Sequence, residues 1–115
     1  MIPDIDNWKA QIRKGYLDLC ILLFIANKKR VYGLEILESL KCFDLPIKEG
    51  TLYPLLNRMA TDGILSSEWE TENISGHPRK FYSLAKNGKE TLAEMQIEFN
   101  KLTEVYKQLS NMEDK

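Results

Sequence analysis

The segment 47–65, IKEGTLYPLLNRMATDGIL, constrains this chain more than any other because it combines an amphipathic helix with a defined end. On a helical wheel its apolar residues form one side and its small, polar and basic residues form the other. The apolar side consists of Leu52, Leu55, Leu56 and Met59, and the other side consists of Thr51, Pro54, Asn57, Arg58 and Thr61. The first side predicts a core face. The second suits a helix that lies against a polyanion, although most amphipathic helices have such a side only because water wets it.

A predicted β-hairpin follows this helix at once. Gly63 is expected to end the helix in the left-handed conformation, and residues 64–72 then alternate with period two, which places Trp69 on a covered face and the glutamates on a wet face. Residues 73–77 are of types that favour a turn, and residues 78–84 are typical of a second strand. A helix followed by a hairpin with a basic tip is the winged-helix arrangement, in which the helix enters the major groove of DNA and the wing contacts the backbone or the minor groove.

The first predicted helix covers residues 5–27 and is apolar on more than one side. Such a helix needs two partners, which we take to be the core of its own domain and a second subunit. Trp8 near its start is either a staple that fixes the helix or part of a ligand pocket. Asp18 is an acidic residue within an apolar run, and it is expected to make a fixed structural hydrogen bond. The loop at residues 28–30, Lys-Lys-Arg, is either a solvated turn or a phosphate contact.

A second helix is predicted from residue 33 to about residue 43. Its inward side chains are expected to be Leu34, Leu37 and Leu40. Gly33 allows a neighbouring group to approach the backbone closely, and residues 44–46 end the helix because the residue before a proline avoids the helical region. The third helix then begins near Lys48. Within it, Pro54 removes one backbone hydrogen bond and predicts a slight kink near the N-terminal end.

The C-terminal residues 86–111 are predicted to form one long helix with a regular apolar seam. Apolar side chains recur at alternating steps of three and four residues, as Leu92, Met95, Phe99, Leu102, Tyr106 and Leu109. A helix of this length spans roughly 40 Å, which exceeds what a compact winged domain covers. Part of the seam is therefore expected to pack against the same helix, or the first helix, of a second copy. The alternative is that the helix folds back on its own domain.

Composition and charge limit the classes of function. A length of 115 residues suits one hydrophobic core. We expect the chain to consist of a winged DNA-binding domain at residues 1–85 and a dimerisation helix at residues 86–115. The longest apolar run, residues 16–26, is too short to span a bilayer, so we expect no membrane association and a cytoplasmic location. One histidine, with no phosphate-binding glycine loop, nucleophile elbow or metal-ligand spacing, predicts no enzyme, no cofactor and no metal site.

The net charge of −1 argues against a nucleic-acid-binding protein if only the sum is considered. Binding then requires that the fold segregates the basic groups, and the alternative is a winged-helix module that binds proteins and not DNA. Cys20 and Cys42 have neither a CxxC motif nor partner histidines. They are expected to be buried, reduced thiols, with a redox switch as the alternative.

Five segments in matching order resemble the PadR-like transcriptional regulators. They are KGYLDLCIL, VYGLEI, GTLYPLLNRMATDGIL, SEWE and SGHPRKFYSLAKNG, and with them the resemblance covers nearly the whole chain from Trp8 onward. The resemblance implies a mainly α (α+β) protein with a winged helix-turn-helix, a two-stranded wing and a long C-terminal dimerisation helix. It also implies a homodimeric transcriptional repressor that binds double-stranded DNA. Because one helix follows the wing, it implies the short branch of the family, whose dimers often bind small hydrophobic effectors.

The resemblance also implies roles for individual residues. In the family, the GTLYP segment approaches the operator, so DNA contacts are expected from Lys48, Thr51, Tyr53, Pro54, Asn57, Arg58, His77, Arg79 and Lys80. A structural role for Tyr53 is an equal alternative, and since Arg79 and Lys80 alternate across a strand, one or both contact DNA. An effector pocket would be lined by Trp8, Met95, Phe99 and Leu102, with Phe99 the leading candidate, although core packing is the simpler explanation for each residue taken singly. The dimer interface would use the seam residues Leu92, Met95, Phe99, Leu102, Tyr106 and Leu109.

Overall fold

The computed structural model describes residues 4–70 and 78–112, and within these residues it has four helices and three strands. The helices are α1 (Ile5–Lys28), α2 (Gly33–Cys42), α3 (Glu49–Thr61) and α4 (Lys86–Ser110). The strands are β1 (Val31–Tyr32), β2 (Leu65–Glu70) and β3 (Arg79–Leu84). This is the predicted mainly helical winged helix-turn-helix with a long C-terminal helix, and each predicted helix is present to within a few residues.

The ends of the helices follow from local chemistry. At the end of α1 Lys29 takes a positive φ of 72°, and Asp44 does the same at 56° just after α2. Gly63 ends the α3 turn with φ 78°, as predicted. Lys48, in extended conformation, precedes the first residue of α3, and the helix continues through Pro54. Asp and Lys tolerate a positive φ less well than glycine does, so these two turns depend on the packing of the helices that they join.

The three strands form one antiparallel sheet in the order β1-β3-β2. The sequence predicted only the two-stranded wing, because β1 has two residues and shows no periodicity. Its Val31 pairs with Tyr82 and its Tyr32 pairs with Phe81. The prediction of a covered face along β2 was wrong beyond Leu65, since Trp69 is 59% exposed. The strand leaves the helical core after its first residue, so both of its faces meet solvent there.

The core lies where α1, α2 and α3 meet the sheet. Its fully buried side chains are Ile21, Leu22, Ile25, Val31, Ile36, Leu52 and Leu56. All four apolar residues predicted for the core face of α3 are buried. In α2, Leu37 and Leu40 are buried as predicted, together with Ile36. The prediction of Leu34 was wrong because that position falls roughly a third of a turn from the buried stripe. Cys20 is half-buried and Cys42 is exposed, so Cys42 was wrongly predicted as buried; both thiols are free.

α4 begins against the backbone that follows α3. The N–H of Ala85 donates to the carbonyl oxygen of Ile64 at 3.0 Å, and a side-chain carbon placed on Gly88 would overlap that same oxygen. α4 then runs antiparallel to α1. Ile25 and Ala26 of α1 line a cavity together with the first turns of α4, and farther along the ring of Tyr16 stacks on Phe99 with centroids 5.7 Å apart.

The seam of α4 divides into a covered and an exposed half. Leu92 is buried, and Met95 and Phe99 pack partly buried against the core. Beyond them Leu102, Tyr106 and Leu109 are 58%, 70% and 64% exposed. The alternative that the whole helix folds back on its own domain is therefore wrong for the second half, which extends along the long axis of a molecule measuring 67 × 35 × 23 Å.

We predict that Gly88→Ala lowers the free energy of unfolding by about 1–3 kcal/mol, because the added methyl group overlaps the Ile64 carbonyl oxygen and the start of α4 must shift. Gly15→Ala is the matched control: it lies within α1 and its added methyl group meets nothing within 4 Å. There the same substitution should stabilise the protein by about 0.5–1 kcal/mol through helix propensity. Urea unfolding followed by circular dichroism measures both, and equal midpoints for the two variants would refute the close approach.

Candidate nucleic-acid interface

α3 presents its predicted polar side to solvent. Thr51, Pro54, Asn57, Arg58 and Thr61 are exposed, as is Lys48 just before the helix. The buried side of α3 fixes its rotation, since Leu52 and Leu56 are fully covered by the core. The helix is thus held by its apolar face, and it offers hydroxyl, amide and guanidinium groups on the free face, which are the donor types that contact phosphates and base edges.

Tyr53 lies between the two faces of α3 and packs on the start of α2. A side-chain carbon on Gly33 would overlap its ring, with the phenol oxygen at 2.7 Å, so the glycine predicted to permit a close approach does so for this tyrosine. Burial, and then the negative charge of Glu49, raise the pKa of Tyr53. Its hydroxyl therefore stays protonated at neutral pH. This contact supports the structural alternative for Tyr53 while leaving the edge of the ring exposed.

Arg58 is joined to α1 by an ion pair. Its Nη2 donates to Oδ2 of Asp18 at 3.2 Å. The structural hydrogen bond predicted for Asp18 is confirmed, and its partner is a residue that the sequence assigned to DNA. Burial raises the pKa of Asp18 and the positive charge of Arg58 lowers it, with burial the larger cause. No sequence pattern predicts this pair, because its members are separated by 40 positions.

The wing separates Arg79 and Lys80 onto opposite faces of the sheet. The register pairs Trp69 with Lys80 and Leu65 with Leu84, so Lys80 lies on the face that continues into the helical core. There its Nζ is 5.7 Å from the centre of the Trp69 ring. Arg79 lies on the outer face, with its guanidinium carbon 4.9 Å from the ring centre of Tyr32. His77, predicted for the wing tip, lies outside the described residues.

Arg30 is held on the outer face of the wing. Its guanidinium carbon lies 3.7 Å from the centre of the Phe81 ring, and its Nε donates to Oε1 of Glu68 at 3.0 Å. Its Nη2 is 3.8 Å from Oε2 of Glu70. Exposed ion pairs of this kind add little stability, but the stacked guanidinium covers Phe81, which is buried outside the main core. Of the three basic residues at positions 28–30, Arg30 is thus already engaged in contacts within the protein.

Of the four residues predicted for an effector pocket, Trp8 lies on α1, and Met95, Phe99 and Leu102 lie on α4. Trp8 is 56% exposed and Leu102 is exposed, while Met95 and Phe99 pack against the core. None of them lines the larger cavity, of about 660 Å³, which lies between α1 and the end of α2. Its walls include Tyr16, Cys20, Phe24 and Phe43.

The part of the chain that the structure describes has neither a candidate metal cluster nor a helix that could cross a membrane. Among residues 4–70 and 78–112 no group of three or more His, Cys, Asp or Glu side chains is placed to hold a metal ion. Within the same ranges no helix has the length and apolarity that crossing a membrane requires.

Comparison with known proteins identifies the family. The model of the transcriptional regulator PadR-like family matches residues 21–94. The structure of a PadR-like transcription factor from Bacteroides fragilis is 41% identical, covers 90% of this chain and 98% of its own, and superposes with a TM-score of 0.76. A PadR family regulator from Eggerthella lenta is 28% identical, with a TM-score of 0.82 and coverage of 95% and 94%. A transcriptional regulator of Mycobacterium tuberculosis is 32% identical over 73 residues, which are 64% of this chain and 66% of that protein. This chain belongs to the PadR-like family of DNA-binding transcriptional regulators.

Proposed function

We propose that this chain acts in the cytoplasm as a homodimeric repressor, which reads a pseudo-palindromic operator with two copies of α3 and is released by a small hydrophobic effector. The observation that carries the proposal is the division of α3 into a fully anchored apolar face and a free face of DNA-compatible groups. The family provides the regulatory role. In this arrangement the polar face of α3 enters the major groove and the wing reaches the adjacent backbone.

The distribution of charge on the wing favours DNA over a protein partner. Glu68 and Glu70 share the outer face with Arg30, which neutralises part of their charge. Lys80 lies on the opposite face, the one that continues toward the helices. A net charge of −1 is thus compatible with a basic surface that includes Lys48, Arg58 and Lys80. With few phosphate contacts per subunit, binding should depend on dimerisation and weaken as salt is added.

The residues that we propose to contact DNA are those inferred from the sequence, and the structure favours some of them over others. In α3 and its N-terminal flank they are Lys48, Thr51, Pro54, Asn57 and Arg58, with the exposed edge of Tyr53 beside them. In the wing, Lys80 is favoured over Arg79 because it shares the face of the helices. His77 stays a proposal from the resemblance alone.

Arg58→Ala should weaken binding to a duplex from the promoter upstream of the gene by roughly 1–3 kcal/mol, the usual range for losing one arginine–base contact. Lys107→Ala is the control, because it removes the same charge from the last turn of α4, roughly 30 Å along that helix from its start. Fluorescence anisotropy over a salt series, with a scrambled duplex alongside, measures both. Equal losses in the two variants would contradict the role of α3. Binding of the native protein to neither duplex would favour the protein-interaction module.

The proposed dimer rests on two exposed apolar stripes at the same end of the molecule. On α1 the stripe consists of Ile5, Trp8, Ile12 and Tyr16, and on α4 it consists of Leu102, Val105, Tyr106, Leu109 and Met112. Because α1 and α4 run antiparallel and Tyr16 stacks on Phe99, the start of α1 lies near the second half of α4. A two-fold interface buries the same patch on each subunit. Binding of both copies of α3 to one operator then requires that they lie about 34–36 Å apart, one turn of DNA.

Leu109→Asp should shift the protein from dimer to monomer in sedimentation velocity, because it places a charge in the seam. The residue is 64% exposed in the single chain, so the fold of the monomer should be preserved. Gln108→Asp adds the same charge at the neighbouring exposed position, off the seam, and should leave the dimer intact. An unchanged sedimentation coefficient for Leu109→Asp would refute this interface.

The proposed effector site lies where these stripes meet, near Trp8, Met95, Phe99 and Leu102. Phe99 is already stacked on Tyr16, so a flat apolar ligand would extend an existing aromatic contact. The large exposed area of Trp8 and Leu102 in one chain is the surface that a ligand at the dimer centre would cover.

The chain has two tryptophans, and this allows the effector site to be tested separately from the wing. In the Trp69→Phe variant, Trp8 is the single indole, and its emission should be quenched saturably by the apolar dye anilinonaphthalene sulfonate. The complementary Trp8→Phe variant retains Trp69 on the wing and should show little quenching. Equal quenching of both variants, or quenching that does not saturate, would contradict a site at the dimer centre.

A further inference from the structure

We propose that Asp18 is a positioning residue that holds Arg58 ready for a sequence-specific contact and thereby sets the ratio of operator binding to nonspecific DNA binding. The inference rests on the proposed function, because it assumes that the free face of α3 meets DNA. It adds a specificity role for a residue of α1, a helix that is not part of the DNA-contacting surface.

The geometry links two elements with different tasks. Asp18 lies on α1 next to the buried Leu19 and close to the fully buried Ile21 and Leu22, so its backbone is fixed by the core. From there its carboxylate reaches Arg58 on the free side of α3. The side chain of Asp18 is 30% exposed and that of Arg58 is 59% exposed. The anchor is thus partly sheltered, while the guanidinium that it holds still faces solvent.

The single contact leaves Arg58 able to bind DNA. A guanidinium has five N–H donors, and the structure uses one nitrogen, Nη2, toward Asp18. The remaining donors are available for a bidentate contact to a guanine edge, which demands a fixed orientation. A phosphate contact demands much less orientation, since a mobile cation satisfies it. Restricting Arg58 therefore benefits base-specific contacts more than phosphate contacts.

The charge of Asp18 acts in the same direction. A carboxylate beside the DNA-facing arginine reduces the positive potential that attracts any phosphate backbone. This lowers nonspecific affinity, whereas the operator complex regains the loss through the oriented contact. Specificity is the difference between the affinity for the operator and the affinity for nonspecific DNA. Asp18 affects both of these affinities.

Burial of the Asp18 carboxylate is a cost to folding that its ion pair with Arg58 offsets only in part. Burial raises the pKa of this carboxyl more than Arg58 lowers it. An acid whose pKa is raised in the folded state destabilises the fold at a pH above that pKa. Replacing Asp18 by the uncharged isostere asparagine should therefore leave the melting temperature at pH 7 unchanged or raise it. A residue with a merely structural role would give a lower melting temperature on substitution.

The test is a double-mutant cycle on the full chain, with anisotropy titrations of the promoter duplex and of the scrambled duplex. In Asp18→Asn the ratio of the two affinities should fall roughly tenfold, corresponding to one base contact. In the Arg58→Ala background the same substitution should leave the ratio unchanged. Arg58→Lys keeps the charge but not the planar set of guanidinium donors. Its ratio of promoter affinity to scrambled-duplex affinity should therefore fall as it does in Asp18→Asn. Asp62→Asn removes one exposed acid at the end of α3 and, as the matched control, should change both affinities by the same factor.

Each outcome decides the proposal. If the native protein prefers the promoter and Asp18→Asn keeps that preference, the positioning role is overturned while the proposed function stands. A fall in the ratio that persists in the Arg58→Ala background overturns it as well, because Asp18 then does not act through Arg58. A lowered melting temperature in Asp18→Asn, together with equal losses on both duplexes, assigns Asp18 to folding alone. If the native protein prefers neither duplex, the proposed function and the positioning role fall together.

Discussion

The contact between Gly88 and the Ile64 carbonyl determines how the parts of this molecule are placed relative to one another. Ile64 lies in the short turn between α3 and β2, and Gly88 lies in the first turn of α4. Because the backbones touch there, the end of α3, the root of the wing and the start of the C-terminal helix form one rigid junction. A side chain at position 88 would act as a spacer at that junction. Any force applied to α4 therefore reaches α3 over a very short path, without a flexible linker between them.

The two anchoring contacts of α3 have different characters. At its N-terminal end Tyr53 packs over Gly33 and fixes the helix to α2 by shape. At its C-terminal end Arg58 is tied to α1 by charge. The shape contact is insensitive to salt, whereas the charge contact is exposed to it. These two contacts supplement the buried apolar face of α3, one by shape and one by charge.

Periodic patterns predicted those parts of the fold whose residues pack on neighbours at regular spacing. The apolar side of α3 and the length of α4 follow from helical repeats, and the positive φ at Gly63 follows from its residue type. The missing strand β1 is too short to show a repeat. Trp69 was misassigned because alternation gives the face of a strand but not how far the core beneath it extends. The pairs Arg58–Asp18 and Arg30–Glu68 join residues far apart in sequence, so only the folded arrangement reveals that two candidate DNA-binding cations are already engaged.

The sheet order places β2 at an edge, with no strand described on its outer side. An exposed edge offers unpaired backbone groups to any other extended chain, and two copies of this protein would present two such edges. Glu68 and Glu70 line this strand, and Arg30 holds both on one face of it. A second β2 approaching in register would bring carboxylates against carboxylates. The acidic strand would thus protect the proposed two-fold assembly, which joins through α1 and α4, from growing into an open-ended sheet.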